Sequence, residues 1–223
     1  MSGLARFTGT DTRQDEEASP LRRFAQPRPR PAAGEVCELC AQPVDDRHGH
    51  VVDTERRSLL CACRSCYLLF ARPGAGQGRY RAVGERYLRV EPFALSPLQW
   101  SALQIPVGMA FFLVNSHLGR TVAFYPSPAG ATESLLELDA WEDIVGANPA
   151  LADLEPDAEA ALVRSGDVTT SCHIVPVDRC YELVGALRLH WRGFDGGQEV
   201  HERIDAFFED VQARSRPVAG RPG

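Results

Sequence analysis

The sequence predicts an α+β protein with a small cysteine-rich unit ahead of a larger domain, and three observations carry that prediction. Five of the seven cysteines fall between Cys37 and Cys66. Strand-like apolar runs separated by turn residues follow as far as "TVAFYP". Apolar stripes at helical spacing then gather towards the C-terminal end, and strands followed by helices are the pattern of the α+β class.

Taken in order, residues 1–33 are polar, with Pro27, Pro29 and Pro31 alternating and no apolar period. They bury too little to offset ordering entropy and are expected as a disordered tail. The cysteine-rich unit spans 34–72, an α+β domain spans 73–215, and a second disordered tail takes 216–223. Inside the first unit, "HVVD" and "RRSLLC" are read as the two strands of a hairpin, and "CYLLFAR" as the start of a helix. "PGAGQG" is a flexible joint; no strand precedes it and no amphipathic helix follows, so its glycines are not a nucleotide loop.

Beyond the joint, "RYRAV" and "RYLRV" flank Gly84-Glu85 and predict a hairpin with a two-residue turn. Ser96 caps a short helix, with Pro97 in its first turn and Gln99 completing a capping box. "VGMAFFLVNS" and "TVAFYP", divided by "HLGR", predict a second hairpin whose first strand is apolar enough to be central. "PSPAGAT" is read as a loop, "LDAWEDIVGA" and "PDAEAALV" as helical, and "CHIVPV" as a strand. Cys180, Leu183, Val184, Leu187 and Trp191 fall at helical intervals, and Val200, Ile204, Phe207, Phe208 and Val211 line one face of a last helix.

A net charge of −6 argues against a nucleic-acid partner. Residues 47–92 carry nine Arg against four acids, while 131–167 carry ten acids against Arg164 alone, so one region is expected to dock on the other or on a partner. All 24 basic residues are Arg. Without lysine there is no Schiff-base chemistry, no phosphate-loop lysine and no Ser-Lys dyad. The opening residues lack the apolar core of an export signal and no run of eighteen apolar residues occurs, which predicts a cytoplasmic protein with no membrane role. In a reducing compartment, closely spaced cysteines are metal ligands or redox groups more often than disulfides.

Cys37/Cys40 and Cys63/Cys66 form two Cys-x-x-Cys pairs separated by 22 residues, close to the tetrathiolate zinc pattern. Each pair can turn two sulfurs towards one ion, and Zn²⁺ takes four ligands in a tetrahedron with thiolates among its preferred types. A unit of this length is near the size below which a metal or disulfides are needed for folding. The fold class is therefore α+β: a small zinc-ribbon or treble-clef-like N-terminal module, then an antiparallel-sheet domain with C-terminal helices. Cys61 is an alternative ligand in place of Cys63, a buried free thiol, or part of a redox centre. His48 and His50 can also ligate, although exposed turn histidines are the ordinary reading. Iron on the same four thiolates is the chemical rival. Ala41 and Tyr67 stand where such iron sites carry glycine, which favours zinc.

Cys172 and His173 are neighbours on a strand and point to opposite faces, so they read as core residues and not as a nucleophile and base. Cys180 lies on its helix's apolar stripe. "YPSPAGATES" offers amides at a helix start for an anion, and "HWRGFDGG" collects polar and aromatic groups at a helix end; ordinary capping accounts for both. No Gly-x-Ser-x-Gly, His-Glu-x-x-His or phosphate-loop pattern occurs.

"CELC", "LLCACRSCYLLF", "IPVGMAFF", "YPSPAGATES", "LDAWEDIV" and "HWRGFDGG", in this order over about residues 34–212, resemble a bacterial family of uncharacterised proteins encoded beside nickel-iron hydrogenase genes, including those of actinobacteria. The resemblance implies an accessory role in hydrogenase assembly: binding an apo-subunit or maturation factor, guarding a metal centre, or passing electrons. It also implies that Cys37, Cys40, Cys61, Cys63 and Cys66 belong to the family pattern. Three readings follow: a non-catalytic zinc protein that binds a hydrogenase precursor, an iron-thiolate electron-transfer or redox-protective protein, and an enzyme whose site joins the "YPSPAGATES" and "HWRGFDGG" loops.

Overall fold

A strand with apolar side chains at consecutive positions cannot leave either face in water. Met109–Asn115 is such a strand, and in the computed structural model it lies inside a sheet covered on both sides. The structure describes residues 35–72, 74–134, 139–166, 170–191 and 197–218, all within one compact unit that begins at residue 33. Strands β1 (Gly49–Asp53) and β2 (Ser58–Ala62) and helix α1 (Arg64–Leu69) make up the cysteine-rich part. Next come β3 (Tyr80–Ala82), β4 (Leu88–Val90), α2 (Pro97–Ala102), β5 (Met109–Asn115), β6 (Arg120–Ser127) and β7 (Gly130–Glu133). The remainder is α3 (Asp139–Ala147), β8 (Glu159–Ser165), β9 (Thr170–Pro176), α4 (Val177–His190), α5 (Gln198–Arg214) and β10 (Arg216–Val218).

Two sheets result, one of three strands in the order β2-β1-β3 and one of seven in the order β10-β4-β9-β8-β5-β6-β7. Among the described strands every pairing is antiparallel except that of β10 with β4. On one face of the large sheet Phe111, Leu113, Leu162 and Val175 pack with Leu183 and Leu187 of α4 and Val200, Phe208 and Val211 of α5. On the other, Ala110, Phe112, Ala161 and Ile174 pack with Leu103, Trp141 and Ile144. The Phe112 ring stacks on Trp141 with centroids 3.9 Å apart. No helix among the described residues is long and apolar enough to cross a membrane.

The β1–β2 hairpin, the β5–β6 hairpin, strand β9 and helices α3, α4 and α5 lie where the sequence pattern puts them. Helix α2 starts on the expected capping box: Gln99 N–H donates to Ser96 Oγ at 3.2 Å, and Ser96 N–H to Gln99 Oε1 at 2.9 Å.

Four expectations are corrected. "RYRAV" and "RYLRV" do not form a hairpin: β3 pairs with β1 of the small sheet and β4 with β9 of the large one, so residues 83–87 carry the chain between sheets. "PDAEAALV" is not helical. Its Ala, Glu and Leu are good helix formers, but Glu159–Ser165 is the strand between β5 and β9, and burial on both faces erases the alternation that marks a strand. "PSPAGAT" is no loop before a helix; it is the end of β6, the tight turn at 128–129 and most of β7, with Gly130 at φ 116°. Residues 216–218, assigned to a tail, form β10 against β4. The glycine-rich joint contains a tight turn over Ala75–Gly78 with Gly76 and Gln77 left-handed. The N-terminal tail and residues 192–196 of "HWRGFDGG" lie outside the described residues.

The charge asymmetry is realised as contacts within the chain. Arg57 meets Glu133 at 2.7 Å, Arg81 meets Glu155 at 3.9 Å, and Arg86 grips Glu159 with two nitrogens, Nε reaching Oε1 at 2.6 Å. The first two are surface pairs worth little. Glu159 is 4% exposed, so removing Arg86 leaves a buried carboxylate without its cation, a loss that buried pairs make large.

His173 is buried on β9, and its Nε2–H donates to Gln212 Oε1 at 2.8 Å. Burial holds its pKa below the ordinary 6.5, with Arg89 adding to the depression and the Gln212 contact opposing it. Above that ordinary value both folded and unfolded chains carry a neutral ring and stability has no slope from this group. As pH falls through it, the unfolded chain takes up the proton first, and stability drops until the folded pKa is passed. The expected result is that wild-type unfolding free energy falls more steeply below about pH 6.5 than that of His173→Gln. The excess slope approaches at most about 1.4 kcal/mol per pH unit. Denaturant titrations of both proteins across pH 5 to 8 check this.

Candidate metal centre

The site starts from the period of β1. Successive side chains of a strand face opposite sides, and residues directly across an antiparallel pair share a side. Gly49 lies across from Ala62, His50 from Cys61, and Val52 from Leu59. One side of the hairpin therefore carries His48, His50, Val52, Cys61 and Leu59. The other carries Gly49, Val51 and Ala62. Val51 and Ala62 pack with Cys37 and Cys66, whereas Val52 and Leu59 pack into the core under α4 and α5.

The first cysteine pair sits in a knuckle ahead of β1. Cys37 N–H donates to Gln42 C=O at 2.8 Å, Ala41 N–H returns to Cys37 C=O at 2.7 Å, and Val36 bridges Pro43. Ala41 takes φ 61°, the left-handed conformation that glycine would supply. Alanine at position 41 therefore does the work of the glycine and does not disfavour iron at this knuckle. The second pair is built differently: Cys63 is the N-cap of α1, Cys66 lies inside it, and Tyr67 is helical.

One sulfur from each of Cys37, Cys40, Cys63 and Cys66 lies within 4.8 Å of the others, and Cys40 Sγ is 3.6 Å from Cys63 Sγ. Ligands of a tetrahedral tetrathiolate ion stand about 3.8 Å apart. The cluster can hold a metal ion. Cys37 and Cys66 are buried, while Cys40 and Cys63 are half-buried. Burial pushes the Cys37 thiol up, but N–H groups of Cys63, Leu39 and Cys40 outweigh it and bring its pKa down to about 6. Cys66 is raised by burial and by its three neighbouring thiols. Four sulfurs that cannot all ionise freely are what a cation would relieve.

Cys61 is not in this group. It lies within 4.8 Å of His48 and His50, on the opposite side of the hairpin. Burial, then Glu38 and Glu35, raise its pKa. The histidines are not exposed turn residues either, since the His48 side chain is 9% exposed and that of His50 26%. Asp178 joins them, with Oδ2 2.9 Å from His50 Nδ1. Nothing in the sequence pairs a helix-start aspartate with a histidine 128 positions earlier.

Elsewhere, Cys172 packs with Ile174 and Phe112 on one face of the large sheet, while His173 faces Phe208 on the other, so they form no dyad. Cys180 is fully buried beside Leu183 and Leu187. Ser127 Oγ accepts from the Thr132 hydroxyl at 2.8 Å and from Ala129 N–H at 3.1 Å, so these "YPSPAGATES" hydroxyls brace the β6–β7 hairpin.

The chain matches the family model described as "Family of unknown function (DUF5947)" over residues 36–215. It belongs to that family. No curated protein and no solved structure matches it. The DUF5947 match contains all seven cysteines, both hairpin histidines and Asp178.

A Cβ built on Gly49 falls 2.5 Å from Tyr67 Cδ2. Tyr67 cannot simply retreat, because its hydroxyl donates to Val83 C=O at 2.9 Å. Gly49→Ala should therefore displace α1, which carries Cys66, and destabilise the fold by roughly 1–3 kcal/mol. Chemical denaturation of the variant, with metal content measured in parallel, reads both effects.

Proposed function

We propose that this protein is a non-catalytic zinc protein whose four-cysteine module supports an α+β domain that works by binding another protein. The observation that carries the reading is the convergence of Cys37, Cys40, Cys63 and Cys66 within one ion's reach. Knuckle, hairpin and ligand-bearing helix follow in treble-clef order, and the second pair ends on a helix where a two-knuckle iron site would turn again. Apart from the cysteines, the core around the cluster has only Val51 and Ala62 as buried residues among those described. Leu39, Val44, Tyr67, Phe70 and Tyr80 pack around them only partly buried, and structural zinc adds on the order of 10–16 kcal/mol of apparent binding energy in such modules.

The partner class rests on the sequence blocks that resemble the hydrogenase-linked family: an apo-subunit of a nickel-iron hydrogenase or one of its maturation factors. The zinc module would keep the domain's binding surface in register without taking part in electron transfer.

Protein purified without oxygen is expected to hold zinc at the four cysteines, to be colourless, and to lose that zinc in Cys37→Ser. The same protein should retain a hydrogenase large-subunit precursor on a column, and the Cys37→Ser variant should not. Iron with a reducible visible band would replace this reading with electron transfer. Zinc with no retained precursor would leave the module and remove the partner.

A further inference from the structure

The side of the β1–β2 hairpin that faces away from the four cysteines carries a second set of metal-binding groups. His48, His50 and Cys61 each offer one ligand atom, and the three atoms lie within 4.8 Å of one another. Strand pairing explains part of the grouping: Cys61 is directly across from His50, and His48 lies one residue ahead of β1.

Both imidazoles are already oriented through Nδ1. His50 Nδ1 contacts Asp178 Oδ2 at 2.9 Å; His48 Nδ1 contacts the Asp45 carbonyl at 2.6 Å and lies 3.5 Å from Glu35 Oε2. A carboxylate or carbonyl that accepts from Nδ1–H leaves Nε2 as the lone-pair nitrogen, the arrangement that holds metal-ligating histidines in place. His48 Nε2 is buried without a hydrogen-bond partner, on a side chain only 9% exposed. A buried imidazole nitrogen left unsatisfied is costly, and a metal ion satisfies it.

We propose that His48, His50 and Cys61 form a second metal site, distinct from the four-cysteine cluster, for a late first-row divalent ion. Two imidazoles and one thiolate suit zinc, cobalt, nickel or copper and not the oxygen-seeking magnesium or calcium. Three protein ligands leave a coordination position open, as in exchangeable and reactive sites, where structural sites are closed by four. A cleft of about 380 Å³ borders His48, His50, Arg64 and Asp178 beside the site. With one thiolate the ion and its ligands would carry a net charge of +1, which the Asp178 carboxylate behind His50 offsets. Asp178 is a positioning residue acting through His50, and its place at the start of α4 ties the site to the large domain.

The proposal stands independently of the four-cysteine reading, and one titration separates them. Full-length apo-protein is titrated with Co²⁺ without oxygen, following thiolate-to-cobalt absorption and bound cobalt after desalting. Two equivalents are expected for wild type. His48→Gln/His50→Gln should bind one, with the spectrum of the four-cysteine site unchanged; Cys37→Ser/Cys40→Ser should keep the other. Asp178→Asn should weaken the second equivalent by about 10–100-fold and leave the first alone. Circular dichroism verifies folding of each variant, and His50→Gln alone serves if the buried His48 does not tolerate replacement. One equivalent in wild type that survives the histidine changes would overturn the second site and spare the first. One equivalent lost with the histidines but not with Cys37 and Cys40 would do the reverse. No bound cobalt would overturn both.

Discussion

The alternation of side chains along β1 is the constraint on which the rest of the molecule depends. Val51 belongs to the cysteine cluster and Val52 to the core beneath α4 and α5. One five-residue strand therefore forms the wall between two chemically different interiors, a small one organised by sulfur and a large one by apolar burial. A slip of one residue in the β1–β2 register would turn each set of side chains to the wrong interior. The turn at residues 54–57 and the ion pair of Asp53 with Arg79 at 2.9 Å hold that register, and Arg79 keeps the buried Asp53 carboxyl below its usual pKa range.

The small sheet gains its third strand from outside the cysteine-rich segment. β3 pairs with β1, and the chain then crosses to the large sheet through residues 83–87. Val83 N–H donates to His50 C=O at 2.9 Å, and Arg86 reaches both Glu159 and the Asp153 carbonyl. Val52 and Val83 lie in the same cluster as Phe111 and Leu183. The cysteine-rich segment is thus seated on the large domain by hydrogen bonds, charge and apolar contact together, and its position there puts Asp178 within reach of His50.

Local signals were legible wherever a short stretch carries its own instruction. Ser96, Pro97 and Gln99 state a capped helix start in four residues, and two cysteine pairs at knuckle spacing announce a four-sulfur cluster that can hold a metal ion. Strand β8 was not legible, because "EAALVRS" has the composition of a helix and becomes a strand only between β5 and β9. The same holds for β3 and β4, which look like partners in sequence but answer to β1 and β9. Strand β10 is three residues long, too short to show a period, and is defined only by its pairing with β4.

By itself the sequence determined the four-cysteine set, the α+β class and the apolar faces of α4 and α5, because ligand spacing and helical period are local properties of the chain. Tertiary structure alone decided that Cys61 leaves the cysteine cluster for the histidines, that His48 is buried with an unsatisfied nitrogen, and that Asp178 orients His50. Each of these depends on which side of a hairpin a residue faces and on what is packed against that side. Neither is written in the spacing of residues along one strand.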